Sequence, residues 1–109
     1  IVDDSIVRGN VIRSIINNLK QCGVKEIHIR IPSPPVIDIC ELGIAIKTKT
    51  ELLAYNRSIL EMKKELQVDS LEYLYSNEIN FFPKYTYDQC FSGKISNEIK
   101  KWRPIPISL

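Results

Sequence analysis

Apolar residues recur at helical spacing early in the chain, where they form one face of an amphipathic segment. Asn10 precedes this segment and is a suitable N-cap, while Gly23 follows it and suits the left-handed residue that ends a helix. The pattern therefore predicts a helix between Asn10 and Gly23. Its predicted buried face consists of Val11, Ile12, Ile15, Ile16, Leu19 and Cys22.

Two later segments alternate between apolar and polar residues, as strands with one buried face do. In residues 25–31, the isoleucines at 27, 29 and 31 share one side. In residues 70–75, Leu71, Tyr73 and Tyr75 share one side. Ile1 and Val2 have the character of a buried strand, so the first 31 residues predict a strand–helix–strand unit. This order predicts an α/β fold with a parallel sheet.

The remaining segments connect these elements. Residues 32–35 contain three prolines, which predict a rigid loop that leaves the sheet and continues to about Gly43. Residues 49–55 have short helical character, and residues 58–61 have the spacing of a capping box that starts a helix ending near Leu66. After Asn80 the patterns weaken, and the segments around Phe81–Pro83 and Trp102–Pro106 are predicted to be irregular.

The composition is that of one ordinary globular domain. Among the 109 residues, 44% are hydrophobic and 26% charged, and 15 basic against 13 acidic side chains give a net charge of +2. Because this small charge is spread along the chain, nucleic-acid binding is disfavoured. Since no apolar run approaches the roughly 20 residues that cross a bilayer, we expect no membrane span.

The cysteines indicate the cellular compartment of the protein, and the first residues indicate whether the sequence is complete. Three widely spaced cysteines do not form a disulfide framework, so a reducing, cytoplasmic location is expected. The chain starts without Met inside an apparent strand. We therefore expect it to be a piece of a longer protein whose upstream part completes the sheet.

The junction between the first strand and the helix has the residues of an anion site. Backbone N–H groups at a helix start favour an anion, so Ser5 to Asn10 can hold a phosphate. Gly9 permits close approach of the backbone. Asp3 and Asp4 would repel that phosphate but can accept hydrogen bonds from vicinal hydroxyls nearby. The plainer interpretation is a polar loop that caps a helix, and an isolated Asp-Asp-Ser would favour it.

This junction resembles the phosphoribosyl pyrophosphate (PRPP) motif of type I phosphoribosyltransferases. Residues 2–9 have the sequence VDDSIVRG, which resembles the form of this motif in the amidophosphoribosyltransferase family. Further similar segments follow in the family's order: LKQCGVKEIHIR at 19–30, SPP at 33–35 with Cys40, ELLA at 51–54, VDSL at 68–71 and CFSG at 90–93.

The resemblance implies a partial, Rossmann-like type I phosphoribosyltransferase domain at residues 1–95, truncated at its amino end, with a tail at 96–109. It implies part of an enzyme of purine biosynthesis that replaces the pyrophosphate of PRPP with ammonia from glutamine. Asp3 and Asp4 would then hold the ribose hydroxyls and the associated magnesium. The 5′-phosphate would be bound by Ser5, Ile6, Val7, Arg8, Gly9 and Asn10, and no catalytic residue is assigned.

The resemblance also implies partners, and the sequence departs from the family in places. The implied partners are PRPP, purine nucleotides, an amino-terminal glutaminase domain and further copies in a homo-oligomer. Asn10-Val11 replaces the family's Thr-Thr, and Gly43-Ile44-Ala45 lacks the family's Asp. Because the glutaminase domain and the pyrophosphate-binding turn are not in this sequence, we expect the chain to be inactive alone.

The cysteines fit an iron–sulfur cluster only in part. Some family members bind a four-iron cluster, and Cys40 and Cys90 fall on two of its ligand positions. Tyr87 stands where a third thiolate is expected, and a phenol is a poor ligand for such iron. We therefore expect no complete cluster and interpret both cysteines as reduced, buried remnants. His28 has no partners at ligand spacing and is predicted to be a structural or surface residue.

Two alternatives stay open. A noncatalytic or regulatory module could keep the phosphoribosyltransferase fold and bind PRPP or a nucleotide. A salvage phosphoribosyltransferase is less consistent, because the SPP and CFSG segments belong to the amidotransferase pattern. The sequence upstream of Ile1 would discriminate between these functions.

Overall fold

A small parallel sheet flanked by helices forms the centre of the molecule. The structure is a computed structural model that describes residues 1–40, 45–75 and 88–94. Predictions about residues 41–44, 76–87 and 95–109 lie outside the described residues. In chain order, the elements are α1 (Asn10–Gln21), β1 (His28–Ile31), a 3₁₀ turn (Lys49–Glu51), α2 (Ile59–Leu66), β2 (Ser70–Tyr73) and α3 (Gln89–Ser92).

The sheet has the parallel arrangement that the sequence predicts. β1 pairs in parallel with β2, and His28 lies opposite Ser70. On the other side of β1, Val2 forms a parallel bridge with Arg30. The N–H of Arg30 donates to the carbonyl oxygen of Ile1 at 2.9 Å. The predicted buried first strand is thus a single bridge beside β1, and Val2 is 79% exposed. The α/β class with a parallel sheet is confirmed.

Helix α1 is confirmed, but its start and its buried face differ from the prediction. The helix begins at Asn10, and the N-cap is Gly9, whose φ is 82°. Ile12 and Ile16 are each 2% exposed, whereas Val11 is 70% exposed. The buried stripe is narrower than predicted because α1 meets the sheet along one line only. Ile15 is exposed as well. Cys22 is also exposed, because it lies beyond the last residue of α1.

Both strands are shorter than the alternation predicts. Before β1, Ile27 is buried and is held by the Asp69 carboxylate, which accepts from its N–H at 2.7 Å. Beyond β2, the last bond between the strands runs from the Leu74 N–H to the Ile31 carbonyl at 2.9 Å. Pro32 then turns the neighbouring chain away. Tyr75, predicted to face inward, is therefore 44% exposed.

The second helix starts as its capping box predicts. The Ser58 N–H donates to the Glu61 carboxylate at 2.7 Å, and the Glu61 N–H donates to the Ser58 hydroxyl at 3.2 Å. Met62 and Leu66 are buried against the sheet. The expected loop is observed from Pro32 to residue 40. The predicted helical segment at 49–55 is one 3₁₀ turn, Lys49–Glu51.

The buried apolar residues form two clusters. The larger one, which we call the main core, lies between the sheet and helices α1 and α2. The smaller one, the α3 cluster, consists of Val36, Leu52 and Cys90, with Val7 and Cys40 packed against it. Sequence patterns did not predict α3, a helix of four residues. Among the described residues, no helix is long and apolar enough to span a bilayer.

Candidate functional site

The loop between the first strand and α1 lines a cleft of about 420 Å³. The lining residues are 3–12, which include every residue that the sequence predicts to bind PRPP. The cleft lies at the carboxyl end of the first strand, because Val2 pairs with Arg30 and the chain leaves the sheet at Asp3. Ligands of open α/β sheets bind at this edge.

Backbone N–H groups without acceptors supply the anion-binding chemistry of this cleft. The first-turn N–H groups of Asn10, Val11 and Ile12 have no acceptor within the helix, whose first bond runs from Arg13 to the Gly9 carbonyl at 3.0 Å. Nothing in the described part of the chain accepts from the N–H groups of residues 6–9 either. The cleft can therefore offer several donors to one oxyanion, and the helix dipole favours negative charge there.

Asp3 and Asp4 retain oxygens that can accept further hydrogen bonds. One oxygen of Asp3 accepts from the Asp4 N–H at 3.0 Å, and one oxygen of Asp4 accepts from the Ser5 N–H at 2.9 Å. The second oxygen of each carboxylate has no partner among the described residues. Two such oxygens suit vicinal hydroxyls or a magnesium ion that keeps waters and phosphates as its other ligands.

The loop is held in place from the protein side. Ile6 is buried in the main core, and the Val7 carbonyl accepts from the Leu53 N–H at 2.9 Å. Gly9 has a positive φ, and a Cβ there would lie 3.0 Å from Nη1 of Arg13. That nitrogen donates to the Arg8 carbonyl at 3.1 Å. The position therefore needs glycine both for its backbone conformation and for the space that Arg13 occupies.

The Arg8 side chain supports the loop as well. Its Nε donates to the Glu51 carboxylate at 2.8 Å, and its Nη2 donates to the Ala45 carbonyl at 2.6 Å. The Arg8 guanidinium holds the pKa of Glu51 below its usual value. Nε and Nη2 are thus engaged within the protein, while Nη1 and the backbone N–H of Arg8 have no acceptor among the described residues.

Cys40 and Cys90 both belong to the α3 cluster, where Cys90 is buried as predicted and Cys40 is only partly buried. Cys90 is 8% exposed, and burial raises the pKa of its thiol, with a further contribution from the neighbouring Cys40. Tyr87 lies outside the described residues. No group of three or more His, Cys, Asp or Glu side chains in the described part of the chain is placed to hold a metal ion. The cluster prediction therefore stays a prediction.

His28 is the surface residue that the sequence predicts. Its two ring nitrogens lie 2.8 Å from the Ser70 hydroxyl and 3.1 Å from the Glu26 carboxylate. These contacts link the start of β1 to the start of β2, whereas Asp3 lies beside the carboxyl-terminal half of β1. His28 is not among the residues that line the cleft.

The sequence patterns do not indicate an ion pair beside the α3 cluster in which a buried carboxylate meets a half-exposed lysine. Asp38 is 5% exposed, and its carboxylate lies 2.9 Å from Nζ of Lys49. The hydrogen bond from Lys49 lowers the pKa of Asp38, and the Ile39 N–H adds to this effect. An acidic residue inside the apolar run VIDIC, residues 36–40, is the signal that could have revealed a buried carboxylate. Its partner, Lys49, cannot be identified from the neighbouring sequence, because it lies 11 residues further along the chain.

Comparisons with known proteins find relatives that match most of this chain. No family model matches the chain. The chain is 50% identical over 74 residues to the amidophosphoribosyltransferase of Pyrococcus horikoshii, which covers 68% of this chain and 16% of that protein. It is 35% identical over 113 residues to the Bacillus subtilis amidophosphoribosyltransferase, covering 96% of this chain and 24% of the relative.

A solved structure agrees with these sequence matches. Glutamine PRPP amidotransferase from B. subtilis, complexed with ADP and GMP, superposes with a TM-score of 0.70 and 37% identity. The match covers 85% of this chain and 22% of that one. The chain is a homologue of one segment of amidophosphoribosyltransferase. This similarity confirms the predicted partial type I phosphoribosyltransferase fold. The chain spans about a quarter or less of the length of the amidophosphoribosyltransferases it matches.

Proposed function

We propose that this chain is the part of an amidophosphoribosyltransferase that binds the ribose 5-phosphate moiety of PRPP. The observation that carries the proposal is the cleft at residues 3–12, where unpaired N–H groups and two carboxylates lie side by side. In the parent enzyme, ammonia from glutamine replaces the pyrophosphate of PRPP and gives 5-phosphoribosylamine for purine biosynthesis.

The 5′-phosphate is assigned to the loop and the helix start. The N–H groups of residues 6–12 supply donors, and the Ser5 hydroxyl and the Asn10 amide can add two more. Asn10 is exposed at the first position of α1, so its side chain can reach a bound anion. The replacement of Thr-Thr by Asn10-Val11 therefore preserves at least one side-chain donor beside the phosphate.

The ribose is assigned to Asp3 and Asp4. Each carboxylate can accept from one ribose hydroxyl, which fixes the sugar so that its anomeric carbon is oriented for attack. The free oxygens of Asp3 and Asp4 would hold a magnesium ion bound with PRPP, and that ion would supply positive charge beside the pyrophosphate. The part of the reaction that these residues perform is binding and orientation.

The other partners belong to the parent enzyme. We infer a glutaminase domain that supplies ammonia, purine nucleotides as ligands, a homo-oligomeric assembly and a cytoplasmic location. The nucleotides are supported by the ADP and GMP bound to the B. subtilis relative, and the location by the free state of all three cysteines. This chain alone binds the substrate without completing the reaction.

Calorimetric titration of the full chain with PRPP and magnesium tests the proposal. We expect saturable PRPP binding, competition by ribose 5-phosphate, and weaker binding in Asp4→Asn, whose ribose hydroxyl contact is altered. Unchanged PRPP affinity in Asp4→Asn would contradict the assigned role. The parent activity is tested by fusing the chain in place of the corresponding segment of the B. subtilis enzyme. Phosphoribosylamine formation supports the enzyme, and binding without turnover supports the noncatalytic alternative.

A further inference from the structure

The α3 cluster places two reduced cysteines from distant parts of the chain against each other. Cys40 lies at the end of the loop that follows β1, and Cys90 lies in α3. Cys90 is buried with Val36 and Leu52, and Cys40 packs against this same cluster. The backbone fixes this proximity, because the Cys90 carbonyl accepts from the N–H groups of Ile37 and Asp38 at 2.8 and 3.1 Å.

We propose that Cys40 and Cys90 form an intramolecular disulfide when the protein meets a peroxide, and that thiols reverse it. The bond would join α3 covalently to the loop after β1. Cys22, the third cysteine, is exposed at the end of α1 and belongs to neither cluster. The pairing is therefore specific to Cys40 and Cys90.

The two sulfurs have different roles in the reaction. Cys40 is half-buried, whereas Cys90 is buried, so a peroxide from solvent reaches the Cys40 sulfur first. The Cys40 thiolate attacks one peroxide oxygen, and the O–O bond breaks to give the Cys40 sulfenic acid and, after protonation, water. The Cys90 sulfur then attacks the sulfenic sulfur, and hydroxide leaves with the Cys90 proton as a second water. Two thiols are oxidised and one peroxide is reduced.

The disulfide would act near the phosphate loop. Val7 packs against the α3 cluster, and its carbonyl is bound by the N–H of Leu53, the neighbour of Leu52. A covalent link between Cys40 and Cys90 constrains the apolar cluster beneath this loop. Oxidation is thus expected to alter PRPP affinity if residues 3–12 bind PRPP, although formation of the bond does not depend on that assignment.

Peptide mapping of the full chain tests the proposal directly. The protein is treated with hydrogen peroxide in slight excess, free thiols are alkylated, and the digest is analysed by mass spectrometry without reduction. We expect a Cys40–Cys90 cross-linked peptide, loss of two hydrogen atoms, and full reversal by dithiothreitol. Cys22 should be alkylated throughout.

Two kinds of variant complete the test. Cys22→Ser is the matched control, because it removes the exposed thiol and should leave the cross-linked peptide unchanged. Cys40→Ser and Cys90→Ser should each abolish it. The proposal is overturned if wild-type protein and Cys22→Ser give only sulfinic or sulfonic acids at Cys40, or if the cross-link joins Cys22 to either partner. Because this mapping needs no substitution in the α3 cluster, its outcome does not depend on whether those variants fold.

Discussion

The backbone N–H of Leu53 donates to the carbonyl oxygen of Val7 at 2.9 Å, which fastens the loop of the candidate site to a buried residue. The same leucine lies beneath Gly9, because its Cδ2 would be 3.4 Å from a Cβ at that position. The upper side of the loop faces the cleft, and its lower side rests on the protein. The loop is therefore preorganised before an anion arrives, which lowers the entropic cost of binding.

Replacement of Gly9 by alanine should damage both the fold and the site. The positive φ costs about 1 to 2 kcal/mol for a residue with a Cβ, and the Arg13 guanidinium must shift slightly to make room for the new methyl. We expect a lower free energy of unfolding in urea and about a tenfold loss of PRPP affinity, equivalent to about 1.4 kcal/mol. Gly23→Ala is the matched control.

Gly23 has a φ of +78° but nothing within 4 Å of a Cβ. Its alanine variant should therefore lose only the conformational part of the stability and should bind PRPP with normal affinity. Equal PRPP affinities in Gly9→Ala and Gly23→Ala would show that the space beside Gly9 is not needed for the site.

The Asp38–Lys49 pair should make stability depend on pH at both extremes. Lys49 lowers the pKa of Asp38 below its ordinary value of 3.8, so this contribution is present above that value and is lost as pH falls through the lower, folded-state pKa. Asp38 raises the pKa of Lys49 above 10.5, so that contribution is present below 10.5 and is lost as pH rises through the folded-state pKa.

Unfolding midpoints measured from acid to alkaline pH test this ion pair. Asp38→Asn should lower stability at neutral pH by about 1 kcal/mol, because Lys49 is half exposed and can be resolvated. In this variant, the free energy of unfolding should also fall less steeply as the pH is lowered through the acid range. An Asp38→Asn curve parallel to that of the native chain at all pH values would show that the pair does not carry this dependence.

The hydroxyl of Tyr73 is buried without a hydrogen-bond partner in the described part of the chain. Burial raises the pKa of Tyr73 to about 12. Tyr73→Phe should therefore be neutral or stabilise the fold by about 1 kcal/mol, because it removes a desolvated polar group. Tyr73→Leu is the contrasting variant and should destabilise by leaving a cavity. A clear loss of stability in Tyr73→Phe would reveal a partner for the hydroxyl.

Neighbouring isoleucines on α1 should differ sharply in their contribution to stability. Ile16→Ala removes a side chain buried in the main core and should cost about 2 to 5 kcal/mol. Ile15→Ala, at the adjacent and exposed position, should cost well under half as much. Denaturant unfolding of both variants measures the difference. Similar losses of unfolding free energy in the two variants would show that Ile15 is also buried, as the apolar pattern predicts.

Local signals predicted those parts of the fold that local physics determines. The Ser58–Glu61 capping box marks the start of α2 because both partners lie within one turn. The apolar spacing located α1, but it could not tell which of Ile15 and Ile16 meets the sheet, since this depends on the helix orientation. The VDDSIVRG wording located the cleft residues because they are contiguous.

Contacts between distant residues escaped the sequence analysis. Asp38 and Lys49 pair across a segment with no regular pattern, and α3 is too short to show a helical period. The sequence predicts close backbone approach at Gly9 and an N-cap at Asn10, whose side chain suits that position. In the structure Gly9 is the N-cap, with a φ of 82° that glycine adopts without strain, and Asn10 is the first residue of α1.

The parallel pairing of the sheet has a consequence for the order of folding. Ile1 and His28 are 27 residues apart, and His28 and Ser70 are 42 residues apart, so the sheet gains its bonds only after two long loops have closed. Loop closure costs entropy before any bond offsets it, whereas α1 and α2 close turns locally. We therefore expect helical signal to precede the cleft during refolding. Early in refolding, a ligand would therefore meet a formed α1, while Asp3 and Asp4 would not yet be held beside the sheet.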